Sequence, residues 1–391
     1  MNCLLTITGL DAPGITAALT QVLSNTQIEL LDIEQVVVHG QLTLCLLVNL
    51  DLESEPGEAV LKELLFCARK LDQELSYRSV PEIKPKKDKR RYVLTVMADR
   101  VTAGVMHQIS SLLAMHDANI ENIRRLSHCE LSSLEIALSI LESQVLTLKS
   151  ALLKQLSQNS VDIALQRESL TRRNKRLVVL DMDSTLIQAE VIDEIARMHG
   201  VEAQVGRITH QAMHEGLDFA QSLEQRVKLL EGFETLRLEQ LVRDLKLTPG
   251  ARELVRVLKS LGYQIGIISG GFEQAAFYLK EQLGLDFAYA NKLEEYDGRL
   301  TGRVTGPIVD ATRKADLLDI IAQSKYIPLE QTIAIGDGAN DALMLAKAGL
   351  GIAYHPKAIL RKSADTTISF GGLERILYLL GIHAREIHEF V

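Results

Sequence analysis

Two aspartates one residue apart, in Asp181-Met182-Asp183-Ser184-Thr185, follow directly on the apolar run Leu177-Val178-Val179-Leu180. A continuous apolar run is the pattern of a parallel strand buried on both faces. Ligands of open α/β sheets bind beyond the carboxyl ends of such strands. Asp181 and Asp183 can thus converge on one site, and an anionic pair there is costly unless a proton or a metal ion accompanies it. A second strand pattern, Gln264-Ile265-Gly266-Ile267-Ile268, ends in Ser269-Gly270-Gly271. A hydroxyl beside amides without side chains makes a phosphate cradle. A third, Thr332-Ile333-Ala334-Ile335, ends in Gly336-Asp337-Gly338-Ala339-Asn340-Asp341. Acidic residues among glycines allow a hard cation to be held by oxygen. Lys314 lies between the second and third motifs, where a fixed cation offsets phosphoryl charge.

The elements that position these motifs are legible in outline. Residues 1–174 hold five of the 25 glycines and residues 175–391 the other 20, so ligand-approaching loops belong to the C-terminal part. That part, 175–391, reads as a parallel α/β sheet. The helical, one-side-polar segment 191–245 interrupts it as a cap that closes over the site. Tyr296-Asp297-Gly298-Arg299, within 291–307, signals a hairpin, read as a flap at the sheet edge. Residues 1–80 and 91–165 each show a β-α-β-β-α order, which indicates a repeated ferredoxin-like βαββαβ unit. In the first, strands are expected at 3–8, 33–38 and 41–49 and helices at 15–23 and 57–71. In the second, strands fall at 91–97 and twice within 127–139, with helices at 105–115 and 143–158. The charged, apolar-poor segments 81–90 and 166–175 read as solvated connectors.

The order D-x-D-x-T, S-G-G, K, G-D-G-x-N-D resembles the haloacid dehalogenase superfamily of phosphatases. The second aspartate places the likeness in the phosphotransferase branch rather than among dehalogenases. The resemblance extends to the phosphoserine phosphatase family through Glu190 and the cap residues Met213, Phe219 and Arg226. Gly9-Leu10-Asp11-Ala12-Pro13-Gly14-Ile15 resembles the ligand turn of ACT domains, which commonly bind amino acids. The second copy, Ala98-Asp99-Arg100-Val101-Thr102-Ala103-Gly104, lacks the proline and has two more residues between aspartate and glycine.

The resemblance implies a Rossmann-like phosphatase core with a helical cap, preceded by two ACT modules. It implies Asp181 as nucleophile forming an aspartyl phosphate and Asp183 as acid and base. Mg²⁺ would be held by Asp181, the Asp183 main-chain carbonyl and Asp337. Ser269, Gly270, Gly271 and Lys314 would bind the phosphoryl group, with Asn340 and Asp341 orienting the metal's waters or Lys314. O-phospho-L-serine as substrate needs an anion for its amino group and a cation for its carboxylate, which Glu190 and Arg226 supply. Asp11 and Gly14 would receive L-serine as effector, in modules that pair into a homodimer. A phosphotransferase acting on an alcohol such as homoserine uses the same motifs. A non-enzymatic amino-acid sensor is the third reading, which the complete set of Asp181, Asp183, Lys314 and Asp337 opposes.

A net charge of −8 argues against a protein built to bind nucleic acid, and no apolar run reaches the length of a membrane span. The start of the chain has no secretory pattern, and the four cysteines (Cys3, Cys45, Cys67, Cys129) form no C-x-x-C pair, as expected of reduced thiols in the cytoplasm. His199, His210 and His214 recur at helical spacing and read as cap surface or packing residues rather than metal ligands.

Overall fold

The computed structural model describes residues 2–81, 88–127, 132–156, 160–214, 218–356, 360 and 364–390. Met1–Lys87 and Asp88–Val391 are two compact units.

The first unit runs β1 (Asn2–Leu10), α1 (Ile15–Asn25), β2 (Leu30–Val38), β3 (Gln41–Asn49), α2 (Glu55–Lys70) and β4 (Gln73–Val80). Its antiparallel sheet has the order β2-β3-β1-β4. The alternation of β1 and β3 turns Leu5, Ile7, Leu44 and Leu46 onto Leu19 of α1 and Leu64 of α2. Gly14 has φ +98°, a conformation other residues reach only with strain, and starts α1, whose first turn has no side-chain cap. Asp11 is exposed just ahead of it, its N–H donating to the Gly40 carbonyl at 2.9 Å. β2 is exposed along its whole length at the sheet edge.

The second unit begins with β5 (Lys89–Ala98), α3 (Ala103–Met115), β6 (Asn119–Ser127), β7 (Ser132–Leu141), α4 (Val145–Leu156) and β8 (Val161–Arg167). This is the same βαββαβ order as the first unit. The strands expected within 127–139 are corrected to two longer ones, β6 starting at Asn119. β6 is an edge strand with exposed Glu121, Arg124 and Arg125, so it lacks the apolar alternation that marks a half-buried strand.

A short helix α5 (Leu170–Arg173) leads to β9 (Leu177–Leu180) and the turn Met182–Leu186. Then come α6 (Val191–His199), α7 (Glu202–His214), α8 (Phe219–Lys228), α9 (Thr235–Asp244) and α10 (Ala251–Ser260). β10 (Gln264–Phe272), α11 (Glu273–Leu283), β11 (Phe287–Tyr296), β12 (Arg299–Thr305) and α12 (Ala311–Ser324) follow. β13 (Thr332–Gly336), α13 (Ala342–Lys347), β14 (Gly351–Tyr354), β15 (Thr366–Ile368), α14 (Ile376–Leu379) and α15 (Ala384–Phe390) complete the unit. The order β11-β10-β9-β13-β14-β15 is parallel throughout. This is the doubly wound arrangement whose ligand crevice opens where the winding reverses, beside the first strand, β9. Asp181 and Asp337 stand just beyond the ends of β9 and β13, and Ser269 lies in β10 just past Ile268, where its regular register stops. The cap helices α6–α9 share one apolar core with the sheet, Ile195, Leu223 and Val227 among Leu180 and Ile267. The hairpin β11–β12 turns at Asp297-Gly298, both with positive φ, and forms the sheet edge. Arg299 ties it to Glu234 at the start of α9 at 2.9 Å.

Residues 166–175 are not a solvated connector. Gln166 and Arg167 finish β8, which pairs with β15 through Thr366 and Ala164, making one sheet of eleven strands. Asp162 accepts the Ser369 N–H at 2.7 Å, and Gln166 donates to the Leu379 carbonyl at 3.1 Å. Arg172 is buried and reaches Glu135 of β7 at 2.6 Å. Arg172 is thus paired across an interior contact and Lys175 is buried, while Arg167, Glu168 and Arg173 stay exposed. The connector at 81–90 is shortened as well, because Lys89 and Arg90 already pair with Leu141 and Ile140 of β7; residues 82–87 lie outside the described ones.

Removing one partner of a buried ion pair strands the other charge, at about 3–5 kcal/mol. Glu135→Ala should therefore lower the urea midpoint for loss of catalytic activity markedly, although Glu135 lies in the module that carries no phosphatase motif. An unchanged midpoint would show that the two parts are stable independently.

Candidate active site

The wide turn Met182–Leu186 folds the first motif back on itself. Ser184 sits at φ +57°, an uncommon value for a residue other than glycine. Its hydroxyl donates to Glu190 Oε1 at 2.9 Å, and its N–H donates to the Ala189 carbonyl at 3.2 Å. Asp183 Oδ1 accepts the N–H of Val191, the first residue of α6, at 3.0 Å. The cap therefore begins on a hydrogen bond donated to the acid it covers.

Lys314 projects from α12 and is wholly buried. Its ammonium donates to Asp181 Oδ1 at 2.8 Å and to Asp341 Oδ1 at 2.7 Å. Asp341 Oδ2 accepts the Gly338 N–H at 3.0 Å, and the Asp181 N–H donates to the Ile335 carbonyl at 2.8 Å. Burial alone would lower the Lys314 pKa, but Asp181 and Asp341 together hold it above its ordinary value. Asp183 is pushed well above the carboxylate range by burial and by the charges of Glu190 and Asp181. The site thus favours the neutral form of Asp183, as a proton-donating carboxyl group requires.

Oxygens of Asp181, Asp337 and Asp341 lie within 4.8 Å of one another, all three residues buried. Three carboxylates against one ammonium leave an excess of buried negative charge, with oxygen donors only. That set fits a hard divalent cation. Asp341 is committed to Lys314 and Gly338, so Asp181 and Asp337 are the better-placed side chains.

A cleft of about 710 Å³ opens above this floor. It is lined by Asp181, Asp183, Asp337 and Asn340, by Ser269, Gly270 and Gly271, and from the cap by Glu190, Phe219 and Arg226. Every candidate substrate or catalytic residue except Met213 thus meets at one place, with Lys314 beneath. Met213 belongs to α7, and its side chain lies outside the described residues. Burial lowers the pKa of Arg226, while Asp193, Glu190 and Asp183 raise it. His199 is a packing residue, edge-on to Phe233 with ring centres 5.7 Å apart, and His210 is exposed on the cap. The His214 side chain is not described. Asp193 on α6 and Ser222 on α8 line the cleft without a motif to flag them, and Asn291 on β11 holds the Gly270 carbonyl behind it. A polar residue on a cap helix or strand looks like any solvent-facing one until the cleft is formed.

The sheet order, the carboxylate pair at the end of β9 and the cap define a haloacid dehalogenase-like hydrolase. The family model of that description matches residues 175–349, and ACT domain models match 2–78 and 91–166. The phosphoserine phosphatase of Streptomyces coelicolor is 43% identical over 389 residues, covering 98% of this chain and 93% of its own. That of Mycobacterium tuberculosis is 40% identical over 387 residues, covering 99% and 95%. A solved structure described as a phospho-aspartyl intermediate analogue of phosphoserine phosphatase is 45% identical over 52% of this chain and 98% of its own, with a TM-score of 0.50. The chain belongs to the phosphoserine phosphatase family and is a phosphatase carrying two ACT domains.

The glycines of the phosphate loop are explained by contact. A Cβ on Gly270 would stand 3.0 Å from Phe219 Cζ, and one on Gly271 would overlap Asp183 Oδ2 and the Met182 methyl. Displacing a reacting group by about 1 Å costs on the order of 10²-fold. Gly271→Ala should lower kcat/KM by about that factor, with the cooperative thermal transition retained. Near-normal kcat/KM would mean that Asp183 moves without consequence.

Proposed function

We propose that the protein hydrolyses O-phospho-L-serine to L-serine and phosphate through an aspartyl phosphate at Asp181, with Mg²⁺ as cofactor. The observation that carries this reading is the buried Lys314 ammonium on Asp181, in one cleft with Asp183, Ser269 and Gly270. An Asp181 oxygen attacks phosphorus, and the bond from phosphorus to the serine oxygen breaks. Asp183 gives its proton to that oxygen. Water then attacks phosphorus and passes a proton to Asp183, the Asp181–phosphorus bond breaks, and phosphate leaves. The Ser269 hydroxyl and the Gly270 amide hold phosphoryl oxygens, and Lys314 balances their charge. Asp181, Asp337 and the Asp183 carbonyl would hold Mg²⁺, with Asn340 beside it. The ion supplies charge neutralisation at the phosphoryl oxygens. Glu190, steadied by Ser184, reads the substrate ammonium, and Arg226 reads its carboxylate.

The first unit supports a regulatory and assembly role in a cytoplasmic enzyme. The α1 amides behind Asp11 and Gly14 suit an amino-acid carboxylate, with L-serine as the effector that lowers activity. The exposed edge strand β2 carries Ile33, Val36, Val37 and Val38, each at least 44% exposed, and suits pairing with a second copy. Among the described residues, no helix is long and apolar enough to cross a membrane.

Asp181→Asn should abolish phosphate release from phosphoserine, measured with Mg²⁺, while Arg226→Ala should raise KM for phosphoserine far more than for a phosphate ester lacking a carboxylate. The second effect corresponds to about 2–5 kcal/mol for a charge left unpaired. Substantial turnover by Asp181→Asn would refute the covalent route, and equal losses on both esters would make Arg226 a cap-supporting residue. Asp11→Ala leaves the cleft untouched, so it should weaken inhibition by L-serine without changing kcat. Unaltered inhibition would assign the effect to product in the active site.

A further inference from the structure

β10 leaves its ladder where it enters the cleft. Ile268 is in register with Tyr289, and Phe272 with Asn291, so β10 uses four steps where β11 uses two. Ser269, Gly270 and Gly271 stand against the single residue Ala290, a surplus of two, and fall outside the register of the ladder. The side chain of Asn291, 1% exposed, stands in for a strand partner. Its Nδ2 donates to the Gly270 carbonyl at 2.8 Å. Its Oδ1 accepts the Val309 N–H, also at 2.8 Å. The amide has one orientation only, because a flip would set donor against donor and acceptor against acceptor.

Both contacts lead to the phosphoryl site. Fixing the Gly270 carbonyl fixes the peptide whose N–H, that of Gly271, donates to Ser269 Oγ at 2.9 Å. With that lone pair engaged, the Ser269 hydroxyl proton is available to a phosphoryl oxygen. Val309 directly precedes Asp310, the cap of α12, which accepts the Arg313 N–H at 2.7 Å. The Lys314 N–H in turn donates to the Asp310 carbonyl at 2.9 Å.

We propose that Asn291 is a positioning residue for phosphoryl transfer: its amide locks the phosphate loop to the start of the helix that delivers Lys314. The proposal rests on the function proposed above. It assigns to one uncharged side chain the spacing between two groups that must grip the same phosphoryl oxygens.

The test uses the full chain with Asn291→Ser and Asn291→Asp. The aspartate keeps an acceptor for Val309 but opposes the Gly270 carbonyl with a carboxylate oxygen. Both variants should melt cooperatively, and both should lose kcat on the order of 10²-fold, as for a reacting group misplaced by about 1 Å. The inhibition constant of inorganic phosphate should rise about tenfold, the equivalent of one buried hydrogen bond left unmade. Asn291→Asp should be no better than Asn291→Ser. Folded variants with wild-type kcat and wild-type phosphate inhibition would overturn the proposal, as would a near-normal Asn291→Asp. Failure of both to fold would overturn it in favour of a purely architectural role. Asp181→Asn assayed alongside separates the two readings, since turnover by that variant refutes the aspartyl route whatever Asn291 does.

Discussion

The Lys314 ammonium, shared between the carboxylates of Asp181 and Asp341, is the charge around which the phosphatase core is arranged. An ammonium taken out of water is tolerated only with excellent partners. Those partners come from the ends of two parallel strands, β9 and β13, which neighbour each other where the winding reverses. The helix bearing Lys314 must arrive with its axis and height fixed to bring Nζ between them. Two carboxylates on one ammonium also leave uncompensated negative charge at the cleft floor. That excess invites a divalent cation, while burial, Glu190 and Asp181 raise the pKa of Asp183.

The same crowding governs the roof. Phe219 of the cap rests against Gly270, and Asp183 fills the space beside Gly271, so phosphate loop, acid and cap form a single packed contact. Asp183 also binds the first amide of α6. A change in cap position therefore reaches the acid directly, through its hydrogen bond as well as its solvent exposure.

Much of this was legible in the chain. Strands ending in Asp181, Ser269 and Asp337 are uniformly apolar and glycine-punctuated, and such patterns survive translation into structure because they are buried on both faces. The first unit followed from β1 and β3, whose inward residues alternate cleanly. What the sequence hid was polarity with a partner far away. Arg172 falls in a segment that reads as a solvated connector, and only the fold puts it in contact with Glu135. β6 was displaced because an edge strand bears no obligatory alternation. Asn291 lies in a strand whose neighbours give no hint that its amide faces a gap in the ladder.

The continuous eleven-stranded sheet also sets a timetable. Thr366 Oγ1 meets the Ile163 carbonyl across 203 residues of chain. The closure entropy of so long a loop grows only slowly with length, so finished stability suffers little. The rate is another matter, since distant strand pairings are the slow ones. On a ribosome, β8 emerges long before β15, and its open edge stays unpaired while nearly the whole phosphatase core is made. The first unit has no such dependence, since its strands pair within eighty residues. The chain is thus built to acquire its sensor-like module early and its catalytic unit only when the last strand arrives. Pulse-labelled hydrogen exchange would show this as β8 and β15 gaining protection in the same step.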